Sequence, residues 1–550
     1  MIKNHFLELL KSKAESSIRT LIFMSMLVGL TQTLSIVIVN TAAVKFINEA
    51  VVDTRLFFLF ITTMGLFIYA QTYVLKQVFE LIEGVLASAR VRITNKIRRT
   101  ELVYLERKNQ GEMYLSLTQD GSLISYSGMI LYFSIQSMIV VLFCFIYIAW
   151  LSPVAFLVLI SLTAAFILIY LAYSMPLHKE LDYVNKQEAY FFGLLNHILR
   201  GFKEIKLNDK KNNDLFHHIK ESSQKTKKSK ISVGNKLVLQ VFAANLIQAS
   251  MLSAVVFILP PFNEGEGAMI ASITAVVLFV SGQLGVVLLA LPNFIRVNAA
   301  SENILGLERE LDQAYRSVEE IAPQGVTKLY NFRAIDFIGM EYVYRDEEGY
   351  PLFPFGPVTL SIKRGEILFI VGENGSGKTT LLKLLSGLYF PNKGKILVDH
   401  QVISPQAYGP YRNLFATVFT DFHLFDKLYG IGEVEERKVE EWLKRMRLAE
   451  KTRYRNQAFS SFSLSTGQRK RLAFIAALLE DRPIYIFDEL AADQDPEFRS
   501  VFYEEVMPDL KRQGKTIIAV SHDDRFWHVA DRVMKFEYGK QVQEIKTNPC

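Results

Sequence analysis

A membrane domain of six transmembrane α-helices followed by an α/β domain built round a phosphate-binding loop is the architecture this sequence predicts. Three observations carry it. Half of the 550 residues are hydrophobic and the mean hydropathy is +0.18, yet the long apolar runs all lie before Arg296. Basic residues gather on two of the connections between those runs. A glycine-rich loop ending in Lys-Thr-Thr joins an apolar strand to a helix in the second half. The apolar content and the low charge, 21%, exclude a disordered chain. Two cysteines, Cys144 and Cys550, exclude a disulfide framework.

The elements follow in order. A basic, amphipathic stretch precedes the first apolar run and distinguishes it from a cleaved signal segment. The runs are Leu21–Ile47, Leu56–Val74, Met129–Trp150, Val154–Tyr173, Leu237–Leu259 and Met269–Leu291. Each is near the roughly 20 residues that cross a bilayer. The connection Lys76–Ser127 carries eight Lys and Arg and Pro176–Lys236 carries thirteen. The three short connections Glu49–Arg55, Leu151–Pro153 and Pro260–Gly267 carry one between them. Positive connections stay cytoplasmic, so both termini and both long connections are expected inside. This topology accounts for 62 basic against 56 acidic residues, and no nucleic-acid partner is expected. The long connections carry apolar residues at helical spacing, which predicts helices running well beyond the bilayer.

A polar helix is expected over Glu302–Glu320, and Ala322-Pro-Gln-Gly325 marks a linker. The expected division is a membrane domain over 1–315, a linker over 316–331 and an α/β domain over 332–550. The neutral amides Gln32, Asn40, Gln240, Asn245, Gln248 and Gln283 lie in the spans. They either line a cavity or bond helix to helix.

The strand Ile367–Val371 runs into Gly372-Glu-Asn-Gly-Ser-Gly-Lys-Thr-Thr380 and then a Leu-rich helix, the context of a nucleotide phosphate loop. Gly372, Asn374, Gly375, Ser376 and Gly377 let backbone amides approach phosphates, with Thr380 at the helix start. Lys378 is expected at the β- and γ-phosphates and Thr379 at Mg²⁺. A second apolar strand, Pro483–Phe487, ends in Asp488-Glu489. A carboxylate there holds nucleotide-bound Mg²⁺, and the adjacent Glu can polarise attacking water.

Between these lies Leu464-Ser-Thr-Gly-Gln468, and Ser521-His522 follows the strand Thr516–Val520. The pentapeptide resembles the signature of ATP-binding-cassette proteins, with Thr466 where Gly is commoner. The order of motifs after six spans resembles an ABC half-transporter of the exporter type. Ala491-Ala-Asp-Gln-Asp-Pro-Glu-Phe-Arg499, Gly514-Lys-Thr-Ile-Ile518, Ser521-His-Asp-Asp524 and Val418–Asp426 resemble the cyclic-peptide and siderophore exporters. That family serves microcins, lipopeptides and pyoverdine-type siderophores.

The resemblance implies roles. Tyr344 would stack on adenine, with Tyr342 and Tyr350 as neighbours in sequence. Glu489 would be the general base, Asp488 a Mg²⁺ partner and His522 a γ-phosphate contact. Ser465, Thr466, Gly467 and Gln468 would meet the nucleotide held by a second copy of the chain, and Asp495 would lie at that dimer interface. Asp421, or Thr420 with a one-residue shift, stands where the wider superfamily has a Gln near Mg²⁺. Gly111–Asp120 and Ile198–Ile205 resemble the segments that couple cassette to spans. The implied function is ATP hydrolysis coupled to export of a constrained peptide or peptide siderophore by a homodimer in the bacterial inner membrane, among membrane lipids. The alternative is a lipid-flipping or signalling ATPase without peptide cargo.

Overall fold

The computed structural model describes residues 4–11, 15–49, 52–108, 110–174, 177–262, 267–314, 331–346 and 349–547. The expected linker and Cys550 lie outside the described residues. The chain divides into two compact units. One comprises residues 1–95 and 110–310, the other 96–109 and 311–550.

Five of the six apolar runs each fall in one helix: Glu15–Glu49, Thr54–Ile97, Gly121–Leu151, Pro153–Ser174 and Gly267–Ala314. The run Leu237–Leu259 starts in Asp209–Ser253 and continues through the π-helical turn Ala254–Ile258. Among the described residues, four helical stretches are long and apolar enough to cross a membrane: Arg19–Ile47, Thr54–Ile97, Met113–Leu151 and Gly267–Ala314. Shorter apolar stretches occupy Pro153–Leu168 and Asn245–Ile258. Where lipid surrounds the helices, small residues let backbones approach closely. Gly29 does so, since a Cβ there would stand 2.6 Å from Ile139 Cγ2. Gly128 packs under Ile82 in the same way.

Two of the amides bond between helices. Asn40 Nδ2 donates to the Ser272 carbonyl at 3.2 Å, and Gln283 Oε1 accepts from Ser137 Oγ at 2.8 Å. Gln32 Oε1 is buried without a hydrogen-bond partner among the described residues. Asn245 is exposed and Gln248 half-buried, and the Gln240 side chain lies outside the described residues. Lys45, near the end of the first apolar run, pairs with Asp53 at 2.8 Å.

The long basic connections are helical, as the apolar periodicity predicts. The second span continues unbroken to Ile97. The described part of the expected polar helix, residues 302–314, is helical and continuous with the last span in one helix, Gly267–Ala314. Backbone hydrogen bonds are indifferent to the change from apolar to charged side chains, and no proline follows Pro292 in this helix. Arg92 Nε and Glu308 Oε1 pair at 3.0 Å on the inner extensions of these two helices.

In the second unit the strands of the two main sheets are β1 (Ala334–Arg345), β2 (Pro351–Lys363), β3 (Ile367–Val371), β4 (Lys393–Val398), β5 (Gln401–Val402), β6 (Phe415–Val418), β7 (Ile484–Asp488), β8 (Thr516–Val520), β9 (Arg532–Glu537) and β10 (Lys540–Lys546). An antiparallel sheet has the order β2-β1-β4-β5, and a mostly parallel sheet the order β10-β9-β3-β8-β7-β6. In the latter, β8 pairs with β3 through Ile517–Ile367 and with β7 through Thr516–Ile484. Every residue of β3, β7 and β8 is buried, as strands covered on both faces require.

An aromatic cluster fixes one face of this sheet. Phe487 lies 5.2 Å from Phe474 and 5.5 Å from Phe502, ring centre to ring centre. Phe487→Ala is expected to destabilise the unit by about 3–5 kcal/mol, through lost transfer energy and an unfilled cavity. Denaturant titration of the purified full-length chain checks this; a loss under about 1 kcal/mol would mean that the cluster closes around the gap.

Candidate functional site

Four adjacent parallel strands bring the motifs to one edge of the sheet. β3 delivers the phosphate loop, β8 Ser521-His522, β7 Asp488-Glu489 and β6 the segment containing Asp421. Ligands of open α/β sheets bind at these carboxyl ends.

The phosphate loop leaves β3 at Val371 and enters the helix Lys378–Leu385. Two glycines are sterically required. At Gly377, φ is +96° and a Cβ would stand 2.7 Å from the Phe355 ring. At Gly372, φ is +152° and a Cβ would strike the Phe536 carbonyl and stand 2.7 Å from Ser376 Oγ. Asn374 and Gly375 form the exposed crest, while Ser376 is buried.

Lys378 is 5% exposed and donates to the carbonyls of Gly372 at 2.9 Å and Glu373 at 3.0 Å. Burial lowers its pKa, and the carboxylates of Glu489 and Asp488 oppose that shift. Thr379 Oγ1 donates to Asp488 Oδ2 at 3.0 Å. Burial raises the Asp488 pKa, the Thr379 bond lowers it, and the nearby charges of Glu489 and Asp421 add to the rise.

Glu489 sits just beyond β7 with φ +52°, an uncommon conformation for a non-glycine residue that turns its carboxylate back over the site. Its Oε1 lies 3.0 Å from His522 Nε2 and 3.9 Å from Lys378 Nζ. A cavity of about 330 Å³ adjoins this pair, lined by Glu489, Ser521, His522, Asp523, Arg499 and Arg525 among others.

The site's polar inventory fits a nucleotide and a divalent cation. Ser376 Oγ, a donor, and Asp488 Oδ1, an anionic acceptor, are both buried and have no hydrogen-bond partner among the described residues. A phosphate oxygen would satisfy the first and Mg²⁺ the second.

Of the three candidate tyrosines, Tyr344 is the one at the phosphate helix, its hydroxyl 3.1 Å from Thr380 Oγ1. Tyr342 is buried behind it, and Tyr350 is 64% exposed.

Ser465 begins the helix Thr466–Leu479 with a capping box: its Oγ accepts from Gln468 N at 3.3 Å while Gln468 Oε1 accepts from Ser465 N at 3.0 Å. Asp495 caps the helix starting at Pro496, accepting from Phe498 N at 2.8 Å. That bond, followed by the Arg471 guanidinium, holds its carboxyl below the ordinary value.

Three residues of this region carry contacts that the motifs did not reveal. Lys470 Nζ donates to Asp493 Oδ2 at 2.6 Å. Arg471 is buried, pairs with Asp495, donates to Gln494 Oε1 at 2.7 Å and lies 4.4 Å over the Phe498 ring. Gln494 Nε2 donates back to the Gly467 carbonyl at 2.9 Å. The basic pair following the signature was the available signal, because a helix that packs on the core cannot leave two cations unpaired.

The segments expected to couple cassette and spans are placed differently. Residues 96–109 group with the second unit, and the short helix Leu102–Arg107 within it bonds to that unit through Glu106. Gly111–Asp120 groups with the first unit. Ile198–Ile205 spans a helix end, a turn at Gly201 and the short helix Phe202–Lys206.

Comparison with known proteins agrees with this geometry. Residues 15–261 match the ABC transporter transmembrane region and residues 355–492 the ABC transporter domain. The chain is 32% identical over 470 residues to the ATP-binding protein SyrD of Pseudomonas syringae pv. syringae, spanning 84% of this chain and 83% of that protein. It is 31% identical over 199 residues to the β-(1→2)glucan export ATP-binding/permease protein NdvA of Agrobacterium vitis, 34% of this chain and 34% of that one. A bacterial Atm1-family ABC exporter with ATP bound shares the fold with a TM-score of 0.72 at 17% identity, over 96% of this chain and 94% of that one. With apolar spanning helices, a phosphate loop and a carboxylate pair in one chain, the protein belongs to the ABC transporter family and is an ATP-hydrolysing, multi-pass membrane transporter of exporter architecture.

Proposed function

We propose that the chain exports a cyclic or otherwise constrained peptide, or a peptide siderophore, across a bacterial inner membrane by alternating access in a homodimer. The membrane part spans residues 1–315 and the cassette 332–550, with the cassette and both termini cytoplasmic. The observation that carries the ATP-driven part is the convergence of Lys378, Asp488, Glu489 and His522 at one sheet edge. The peptide part is supported by the resemblance of Ala491–Arg499 and Val418–Asp426 to the cyclic-peptide exporters. Asn40 and Gln283 are taken up between helices, but Gln32, its Oε1 without a partner among the described residues, would suit a cargo with backbone-like polar groups.

In this reading Lys378 holds the β- and γ-phosphates, Glu489 takes a proton from the attacking water, and His522 positions Glu489 and reaches the γ-phosphate. Thr379 and Asp488 would hold Mg²⁺, with Asp421 directly or through water. The ion would neutralise charge on the phosphates. Ser465, Thr466, Gly467 and Gln468 would close over the nucleotide of the partner chain, with Asp495 beside them. The network through Arg471 and Gln494 would then move the signature and the Glu489–Asp495 loop as one body. A constrained peptide loses little conformational entropy on binding, which favours it over a flexible chain of equal size.

Two experiments test this reading. ATPase activity of the chain in lipid is expected to rise with micromolar cyclic peptide or siderophore precursor. No response across a broad panel, with ATP-dependent lipid flipping instead, would refute peptide export. For the metal, Asp421→Ala is expected to raise the Mg²⁺ concentration for half-maximal activity about tenfold, equivalent to about 1.4 kcal/mol, and Thr420→Ala less than twofold. Equal effects would remove Asp421 from the site.

A further inference from the structure

The residues that face the nucleotide from opposite sides are tied to a single carboxylate that belongs to neither side. Glu106 lies on the helix Leu102–Arg107, which the chain contributes from the connection between the second and third apolar helices and which packs within the second unit. Its Oε1 accepts from Lys383 Nζ at 2.6 Å, and its Oε2 accepts a short bond from the Tyr389 hydroxyl. Lys383 lies on the phosphate helix Lys378–Leu385, on the same rigid rod as Lys378 and Thr379. Its ammonium also sits 5.1 Å over the Tyr389 ring.

Tyr389 carries the contact onward. Its ring stacks on Tyr342 at 4.9 Å and meets Tyr344 edge-on at 6.0 Å. Tyr342 in turn stands edge-on to Tyr344 at 5.1 Å. Tyr344 therefore has ring contacts to Tyr342, Tyr389 and Phe353 and a hydroxyl contact to Thr380. The cluster is well packed: Tyr389 is 2% and Tyr342 5% exposed. Such a cluster cannot deform smoothly, because displacing one ring opens a gap or drives it into the next. A shift of Glu106 thus reaches the Tyr344 ring through one intermediate residue and the phosphate helix through another.

We propose that Glu106 is a positioning residue for the nucleotide: it sets the Tyr344 platform against the phosphate helix through Tyr389 and Lys383, and so sets the affinity for the adenine base. The inference rests on Tyr344 as the adenine platform.

The test is steady-state ATPase kinetics on the full-length chain in lipid, with ATP and CTP as nucleotides, the smaller pyrimidine stacking less well. Glu106→Ala and Tyr389→Phe are expected to raise the KM for ATP about fivefold or more, with kcat within twofold. The KM for CTP should change less. Glu106→Gln keeps an acceptor for the Tyr389 hydroxyl and should recover most of the affinity. The double variant Glu106→Ala/Tyr389→Phe should be no worse than the poorer single one, because the two act through one bond. Tyr344→Ala separates the two layers of argument. If it leaves the KM for ATP unchanged, the adenine-platform reading fails. If it raises that KM while Glu106→Ala and Tyr389→Phe do not, the platform stands and the tether is refuted. A uniform loss of kcat with both nucleotides, or a Gln variant as impaired as Ala, would also refute it in favour of a purely structural contact.

Discussion

Glu489→Gln is expected to cut ATP turnover by a factor of about 10²–10⁴, the usual contribution of a positioned general base, while ATP still binds. The carboxamide has the shape of the carboxylate and can keep a hydrogen bond to His522, now 3.0 Å from Glu489 Oε1. It cannot take a proton from water. The left-handed backbone at this position, φ +52°, holds either side chain over the same spot. Nucleotide should therefore enter and stay, and paired cassettes should be trapped closed. Turnover measured beside equilibrium binding of a fluorescent ATP analogue checks both halves. A variant that keeps a tenth or more of wild-type turnover would remove Glu489 from the proton-transfer step.

Lys378→Ala is expected to fail one step earlier. Lys378 is nearly fully buried, and its ammonium bonds to two carbonyls of its own loop close to two carboxylates. Incoming phosphates offer that ammonium full negative charges in place of carbonyl dipoles. Truncating one partner of a buried charge pair costs about 2–5 kcal/mol, so ATP affinity should fall by at least about thirtyfold. Asp488 and Glu489 would also lose their nearest cation, which works further against anion binding. Turnover at saturating ATP should partly recover, unlike that of Glu489→Gln. Isothermal titration with a non-hydrolysable ATP analogue measures the loss; an affinity within threefold of wild type would contradict the assignment.

The parts of the site legible in the sequence are those whose chemistry depends on local backbone. A phosphate loop must leave a buried strand and start a helix, and Ile367–Leu385 does both in one stretch. Asp488-Glu489 stands at the end of an apolar strand for a related reason: the sheet's core ends there. Contacts made across the fold left fainter marks. Glu106 and Tyr389 are 283 residues apart, and nothing local in either segment announces the other. The basic run after the signature signals paired cations, but nothing in it tells that Arg471 is buried over the Phe498 ring. The sequence marks where the last span turns polar but not that one helix, Gly267–Ala314, carries both parts, because a helix passes from lipid to water without changing its hydrogen bonds.

The most direct test of ATP-driven export is uptake into inside-out membrane vesicles containing the full-length chain. A labelled cyclic peptide that stimulates its ATPase activity should accumulate against its gradient with ATP and Mg²⁺. It should not accumulate with a non-hydrolysable analogue, nor in vesicles containing Glu489→Gln. Peptide that enters equally well without hydrolysis, or that leaves the vesicles when ATP is added, would contradict outward pumping by this chain.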